Sequence, residues 1–112
     1  MQILAGVGPA AAGGAGYFGG GNDGSNISGI DKIAFPADTK TTLSATLTTA
    51  RADGSAMANS GVAGYFGGGL DTGGNLSVID KIAFPSDTKT TLSATLSTAR
   101  IDASGMANSG LL

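Results

Sequence analysis

The chain of 112 residues carries a net charge of −2 and contains neither histidine nor cysteine. It therefore lacks a disulfide framework, a thiolate nucleophile, the usual zinc ligands and the usual general base, which argues against an enzyme and against a bound cofactor. Its 6 Lys and Arg residues are interspersed among 8 carboxylates. No basic patch is available to displace counterions from a nucleic acid, so a nucleic-acid partner is not expected.

Residues 1–14 carry no charged side chain. Shifted by the spacing of the repeats described below, residues 9–13 align with residues 57–61, which predicts a degraded copy of a strand; a flexible tail is the alternative. The segment lacks the cationic start and sustained apolar run of a secretory signal, and no stretch reaches the roughly 20 apolar residues of a membrane span. We therefore expect neither a classical signal peptide nor membrane insertion.

The rest of the chain consists of two nearly identical repeats. Residues 30–51 recur as residues 79–100 with only two changes, Ala37 to Ser86 and Thr48 to Ser97. We assign residues 15–62 to repeat 1 and residues 63–112 to repeat 2, after an N-terminal strand or tail at 1–14. Segments with the period of a strand are separated by Gly, Pro or Asp turns, which predicts an all-β fold.

Each repeat opens with Ala-Gly-Tyr-Phe followed by three glycines. The aromatic residues predict a short strand. The glycines at its exit permit positive φ and a close approach of neighbouring backbones; the structural motif glycines are Gly19, Gly20, Gly67 and Gly68. A phosphate-binding loop is excluded because no Lys-Ser/Thr pair follows the glycines.

Across the following turns, at 22–29 and 70–77, the spacing of the repeats changes from 48 to 49 residues. Repeat 2 therefore has one residue more before its next strand, as exposed loops allow. Each offers too few carboxylates for a Ca²⁺ site. If the repeats bind a ligand, we expect contacts from aromatic residues of the opening strands and polar residues of these turns. These candidates are Tyr17, Asn22, Asp23, Tyr65 and Asp71.

Alternation along residues 30–35 places Asp31 and Ile33 on one side of a strand and Ile30 and Lys32 on the other. Apolar groups on both sides predict a sheet lying between two others. Residues 42–48 alternate leucine or alanine with hydroxyl side chains, which predicts a half-buried edge strand with a solvated threonine face; an ice-binding face is the alternative. The small residues of 52–60 and 103–109 predict a crowded inner strand.

The repeat resembles the kelch-like β-propeller family at three places: Gly64-Tyr65-Phe66-Gly67-Gly68, the Asp/Pro turn after Phe84, and Arg100 at the end of the last strand. The short Gly-Tyr-Phe-Gly-Gly form is similar to that of phage and marine microbial surface and tail proteins. The resemblance covers roughly residues 15–110 and a repeat of about 50 residues, as in kelch blades. The sequence departs from that pattern in having no tryptophan in the last strand.

This resemblance implies two four-stranded blades in each chain. Because two blades cannot close a propeller, we expect closure by homo-oligomerisation, with six blades from a trimer preferred and eight from a tetramer as the runner-up. The strands predicted at 9–13 and 106–110 are expected to cross between chains and complete a neighbour's blade.

The resemblance and the lack of reactive groups favour a non-catalytic structural or adhesive protein, a phage or virus component such as a tail or capsid appendage that contacts the host surface. Its expected location is the virion or an extracellular surface. Its expected partners are copies of itself, other virion proteins or cell-surface glycans. The alternative function is a multivalent glycan-binding propeller, in which several weak sites act together.

Overall fold

The computed structural model describes residues 14–108, and every regular element among them is a β-strand. The prediction of an all-β fold is confirmed. No helix in this part of the chain is long and apolar enough to cross a membrane. The nine strands, in chain order, are β1 (Ala15–Gly19), β2 (Ile30–Ala34), β3 (Thr39–Thr42), β4 (Ser55–Asn59), β5 (Ala63–Gly67), β6 (Leu70–Asp71), β7 (Gly74–Asn75), β8 (Ile79–Ala83) and β9 (Thr88–Thr91).

The strands form two main antiparallel sheets and a small hairpin of β6 and β7. The first sheet, built from repeat 1, has the order β1-β2-β3, and the second has the order β4-β5-β8-β9. In the second sheet β4 comes from the end of repeat 1 and the other three strands come from repeat 2. Four strands are therefore found in the second sheet, whereas the first has three within residues 14–108. The strand predicted at 9–13 lies outside the described residues. The one predicted at 106–110 is irregular as far as residue 108, beyond which the chain is not described.

The two sheets repeat the same register, and each has two distinct faces. Tyrosine lies opposite lysine and phenylalanine opposite aspartate across the first pair of strands in each repeat. Successive side chains point to opposite sides of a strand, so each pair marks one side of the sheet. We call these sides the lysine face, with Tyr17 and Lys32 or Tyr65 and Lys81, and the aspartate face, with Phe18 and Asp31 or Phe66 and Asp80.

The hydrophobic core lies between the repeats. Ile30 and Leu47 of repeat 1 form a buried cluster with Phe66 and Ile82 of repeat 2. The lysine face of repeat 1 thus packs on the aspartate face of repeat 2. Because a sheet must bury its apolar face against another layer, each repeat depends on its neighbour for stability.

The prediction of a strand at 42–48 is wrong, and so is the corresponding prediction in repeat 2. The edge strands are β3 and β9, which end at Thr42 and Thr91. The chain then folds back over the start of the preceding strand, where the Leu43 N–H donates to the Ile30 carbonyl and the Leu47 N–H donates to the Ser28 carbonyl. Leu43 and Leu47 do pack on the core. Their spacing of two therefore reflects burial of an irregular segment rather than the pleat of a strand.

Candidate functional site

A buried ion pair joins the two repeats. Asp80, the second residue of β8, has no exposed surface, and Arg51 is 2% exposed. The Arg51 guanidinium donates through Nη2 to Oδ2 of Asp80 and through Nη1 to the carbonyl of Gly68, at 3.3 Å. Its backbone is fixed on both sides, because its N–H donates to the Ile27 carbonyl and its carbonyl accepts from the Gly21 N–H. We call this arrangement the clasp.

Two threonines complete the surroundings of the Asp80 carboxylate. Thr48 of repeat 1 donates its backbone N–H to Oδ2 at 2.8 Å and its hydroxyl to Oδ1 at 2.6 Å. Thr91, on the neighbouring strand, donates its hydroxyl to Oδ1 at 2.6 Å. A charge can be buried at tolerable cost only when it is paired and hydrogen-bonded, and both oxygens of Asp80 meet this requirement.

The clasp shifts the pKa values of both its charged groups. Burial by itself raises the pKa of Asp80, but the hydrogen bonds from Thr48 and Thr91 and the charge of Arg51 outweigh burial and hold that pKa below its usual value. Burial lowers the pKa of Arg51, and the attraction of Asp80 opposes this shift. Arginine keeps its proton in proteins, and the pKa of Asp80 lies below its usual value, so the pair is ionic at neutral pH.

The clasp predicts how stability changes with pH. Since the pKa of Asp80 is lower in the folded chain than in the unfolded chain, where it is about 3.9, the unfolded state binds more protons in this range. The contribution of Asp80 is then complete above the unfolded pKa and is lost as pH falls through the folded pKa. We expect the free energy of unfolding to decrease below about pH 4.

Urea unfolding between pH 2.5 and 7 measures this dependence, with Asp80→Asn as the comparison. The variant cannot ionise at this position, so its stability should change less with pH than that of the wild type. Identical pH profiles for the two proteins would show that the clasp is not the source of the dependence.

A second polar link joins the repeats at the turn after β8. The carboxylate of Asp87 accepts a hydrogen bond from the Tyr17 hydroxyl at 2.7 Å and one from Lys32 Nζ at 2.8 Å. The Tyr17 ring stacks on Phe84, with the ring centroids 5.2 Å apart. Burial, followed by the hydrogen bond and charge of Asp87, raises the pKa of Tyr17 well above its usual value. The hydroxyl therefore stays protonated and acts as a donor.

Two of the predicted ligand contacts meet in one cleft. Tyr17 and Tyr65 both line a space of about 730 Å³ between the two sheets, together with Lys32, Met57 and Phe84. The cleft has aromatic walls with a charged group at one side, as small-molecule sites commonly do.

The other predicted contacts lie in the turns and do not line this cleft. Asn22 donates to Asn26 at 3.0 Å and accepts from the Gly24 N–H. The Asp71 carboxylate accepts from the Gly73 N–H at 2.7 Å, and Asp23 accepts from the Ser25 N–H at 3.4 Å. These side chains stabilise their own turns, as Asn and Asp often do. The structure thus separates the tyrosines from the polar turn residues.

The motif glycines have two different roles. Gly20 and Gly68 have φ of 73° and 71°, a region that only glycine enters easily. An added Cβ at these two positions would also lie 2.8 Å from the carbonyl oxygen of Arg51 and 2.7 Å from that of Arg100. Gly19 instead makes room for a side chain, since a Cβ there would lie 2.8 Å from the ring of Phe66.

Gly67 differs from the other three motif glycines. It has neither a left-handed backbone conformation nor a close neighbour, because the nearest atom to an added Cβ would be Cγ1 of Ile79 at 3.7 Å. The backbone requirement predicted for this glycine is therefore not found among residues 14–108 of the chain.

The sequence-based candidates omit the residues of the clasp. The alternation of the strand correctly predicts that Asp80 and Lys81 lie on opposite faces. It does not show that the partner of Asp80 comes from the other repeat. The available signal was the recurrence of an aspartate on a strand face that otherwise carries isoleucine and phenylalanine, and of one arginine in each repeat. A carboxylate amid apolar residues requires a cation when it is buried.

Within residues 14–108, no three aspartate, glutamate, histidine or cysteine side chains lie together as metal ligands. The chain matches no protein-family model and no curated protein sequence.

Proposed function

We propose that this chain is a non-catalytic structural or adhesive protein, in which each repeat is one blade of a β-propeller completed by further copies. In this proposal the assembly is part of a phage or virus particle, such as a tail or capsid appendage, and is exposed at the virion or extracellular surface. The assignment to a particle rests on the resemblance of the Gly-Tyr-Phe-Gly-Gly motif to that of phage and microbial surface proteins.

The observation that supports an assembly function best is the use of charged groups at the junction between repeats. Arg51, Asp80, Lys32 and Asp87 all bind across this junction. The buried apolar cluster lies at the same junction. Charge and apolar area that join one sheet to the next are typical of repeat architectures, in which each unit is stabilised by its neighbours.

Two repeats are too few to close a propeller, which has about four to eight blades. Three chains would supply six blades and four chains would supply eight. We favour the trimer, with head-to-tail contacts of the kind that close rings.

Native mass spectrometry of the purified chain tests this proposal. A species of three chains, each of 10.8 kDa, supports six blades, and a species of four supports the eight-bladed alternative. A chain that is folded and monomeric at high concentration would rule out the ring.

Glycan binding is the second candidate function, and the cleft whose aromatic walls include Tyr17 and Phe84 favours it. Aromatic walls suit the apolar faces of sugar rings, and several copies would act together. A glycan array probed with the assembled protein tests this function. Signal that is competed by the free sugar and lost in a folded Tyr17→Ala variant would support it, and an array without competed signal would reject it.

A further inference from the structure

The two faces that meet between the repeats each occur a second time with no sheet packed on them among residues 14–108. On the lysine face of repeat 2, residues 103–106 border a space with Tyr65 and Leu96. The aspartate face of repeat 1 exposes Phe18 to 73% and Phe35 to 46%. Phe66, the counterpart of Phe18, is only 9% exposed because repeat 1 covers it. Large exposed aromatic residues on one face of a sheet mark an interaction surface.

Arg100 is presented in the same way as Arg51. Its N–H donates to the Leu76 carbonyl at 3.0 Å, and its carbonyl accepts from the Gly69 N–H at 3.0 Å. Arg51 makes the matching bonds with Ile27 and Gly21. Yet Arg100 is exposed, and no carboxylate of residues 14–108 forms an ion pair with it.

Asp31 is a half-complete copy of the Asp80 site. Thr42 donates its hydroxyl to Asp31 at 2.6 Å, as Thr91 does to Asp80. The arginine and the second hydroxyl, which repeat 1 supplies to Asp80, are missing at Asp31 in this part of the chain. In repeat 2 the matching groups are Arg100 and Ser97.

The groups of the second polar link also occur a second time, with the carboxylate in repeat 1 and the tyrosine and lysine in repeat 2. Asp38 has a φ of 60°, and its counterpart Asp87 has a φ of 59°, so both turns present the carboxylate from the same backbone conformation. Asp87 binds Tyr17 and Lys32. Their counterparts Tyr65 and Lys81 lie on the lysine face of repeat 2. Of the counterparts of the two links, the carboxylates without an ion pair among residues 14–108, Asp31 and Asp38, therefore belong to repeat 1, and the cations without one, Lys81 and Arg100, belong to repeat 2.

We propose that the aspartate face of repeat 1 in a second copy of this chain docks on the lysine face of repeat 2, reproducing the contact between the two repeats. In this interface Arg100 binds Asp31 of the second copy, Lys81 binds its Asp38, and its Phe18 packs over Gly67 as Phe66 packs over Gly19. The inference rests on the proposed assembly function and identifies the residues that make the contact. The occupant is a second copy because the counterparts of these two free faces, with matching charges and apolar groups, already pack against each other within the chain.

The contact is head-to-tail, so one chain offers two different halves of it. Such an interface forms rings if its rotation closes and filaments if it does not. In either case a chain that has lost one half can still use the other half with a suitable partner.

Two alanine variants exploit this property. Arg100→Ala removes one half of the contact and Asp31→Ala removes the other. Removing one partner of a desolvated ion pair weakens binding by more than about 100-fold, so each variant alone should sediment as a monomer of 10.8 kDa. In an equimolar mixture, Arg100 of the Asp31→Ala chain meets Asp31 of the Arg100→Ala chain. We expect a dimer in the mixture.

Sedimentation velocity of the wild type, each variant and the mixture gives the result. Asp23→Ala, which alters a carboxylate in an exposed turn, is the matched control and should keep the wild-type mass. Variants that keep the wild-type mass, or a mixture that remains monomeric while the wild type associates, would overturn the proposal. A wild type that stays at 10.8 kDa up to millimolar concentration would also overturn it.

Gly67→Ala is a second test, independent of charge. Among residues 14–108 of one chain the added methyl group has ordinary room. In the docked pair it would meet Phe18 of the second copy at the distance at which a Cβ at Gly19 would meet Phe66. We expect an unchanged unfolding midpoint at low concentration and a loss of association of at least about tenfold. Unchanged association would show that Phe18 does not dock there.

These outcomes separate the docking contact from the proposed function. A wild-type trimer that persists in both alanine variants leaves the ring in place and rejects the contact. Open filaments that are abolished in both variants support the contact and reject the closed ring.

Discussion

Replacing Asp80 with alanine is expected to lower the free energy of unfolding by about 3–5 kcal/mol, because it leaves the buried guanidinium of Arg51 without its counter-ion. Thr48 and Thr91 would also lose the acceptor of their hydrogen bonds. Urea unfolding followed by circular dichroism measures the loss. The matched control is Asp31→Ala at a concentration at which the chain is monomeric. Asp31 is partly exposed and accepts from Thr42 alone among residues 14–108, so we expect a loss below about 1 kcal/mol.

A double-mutant cycle separates the pair from the loss of packing. Arg51→Ala should cost about as much as Asp80→Ala, since each leaves one buried charge unpaired. The double variant should cost clearly less than the sum, because neither charge then remains. Additive losses would mean that Arg51 and Asp80 act independently and that the clasp does not stabilise the junction.

Gly68→Val is expected to cost about 3 kcal/mol or more, because a β-branched residue is strained at positive φ and its Cβ would collide with backbone. The φ of Gly68 is 71°, and the nearest atom to an added Cβ would be the carbonyl oxygen of Arg100 at 2.7 Å. A backbone carbonyl cannot move aside as a flexible side chain can. The thermal unfolding midpoint under monomeric conditions measures the effect.

Gly67→Ala, at the neighbouring residue, is the control for Gly68→Val. Gly67 has neither constraint within the described part of the chain, residues 14–108, and the substitution should change stability by less than about 1 kcal/mol. Equal losses for the two variants would indicate that the glycine run tolerates no side chain at all, whatever its backbone angle.

Local pattern was enough to predict the all-β fold and the two faces of β2 and β8. The alternation through Asp80, Lys81 and Ile82 places the first and third of these on one side, and both are buried against repeat 1. Alternation failed at residues 42–48, where the leucines keep a spacing of two although the chain has left the sheet. Periodicity indicates which side chains are buried. It does not identify the carbonyl groups that accept hydrogen bonds from the backbone N–H groups of these residues.

The candidate site was harder to predict because its members come from different repeats. Arg51 and Asp80 are separated by 29 residues, and each has an equivalent in the other copy, so the sequence offers two ways to pair them. Only the packing of one sheet on the next shows that the arginine of repeat 1 meets the aspartate of repeat 2. The role of Tyr17 was obscured in the same way, since its partner Asp87 lies 70 residues away.

Because the clasp joins an arginine of repeat 1 to an aspartate of repeat 2, it also limits how the two repeats can change during evolution. Arg51 binds Asp80, so the residue that must compensate for a substitution at one position lies in the other copy. Drift in either repeat is therefore tied to its neighbour, which accords with the near identity of residues 30–51 and 79–100. A whole repeat inserted between the two would bring its own aspartate for Arg51 and its own arginine for Asp80. Such a chain could lengthen by complete units without a new interface having to arise.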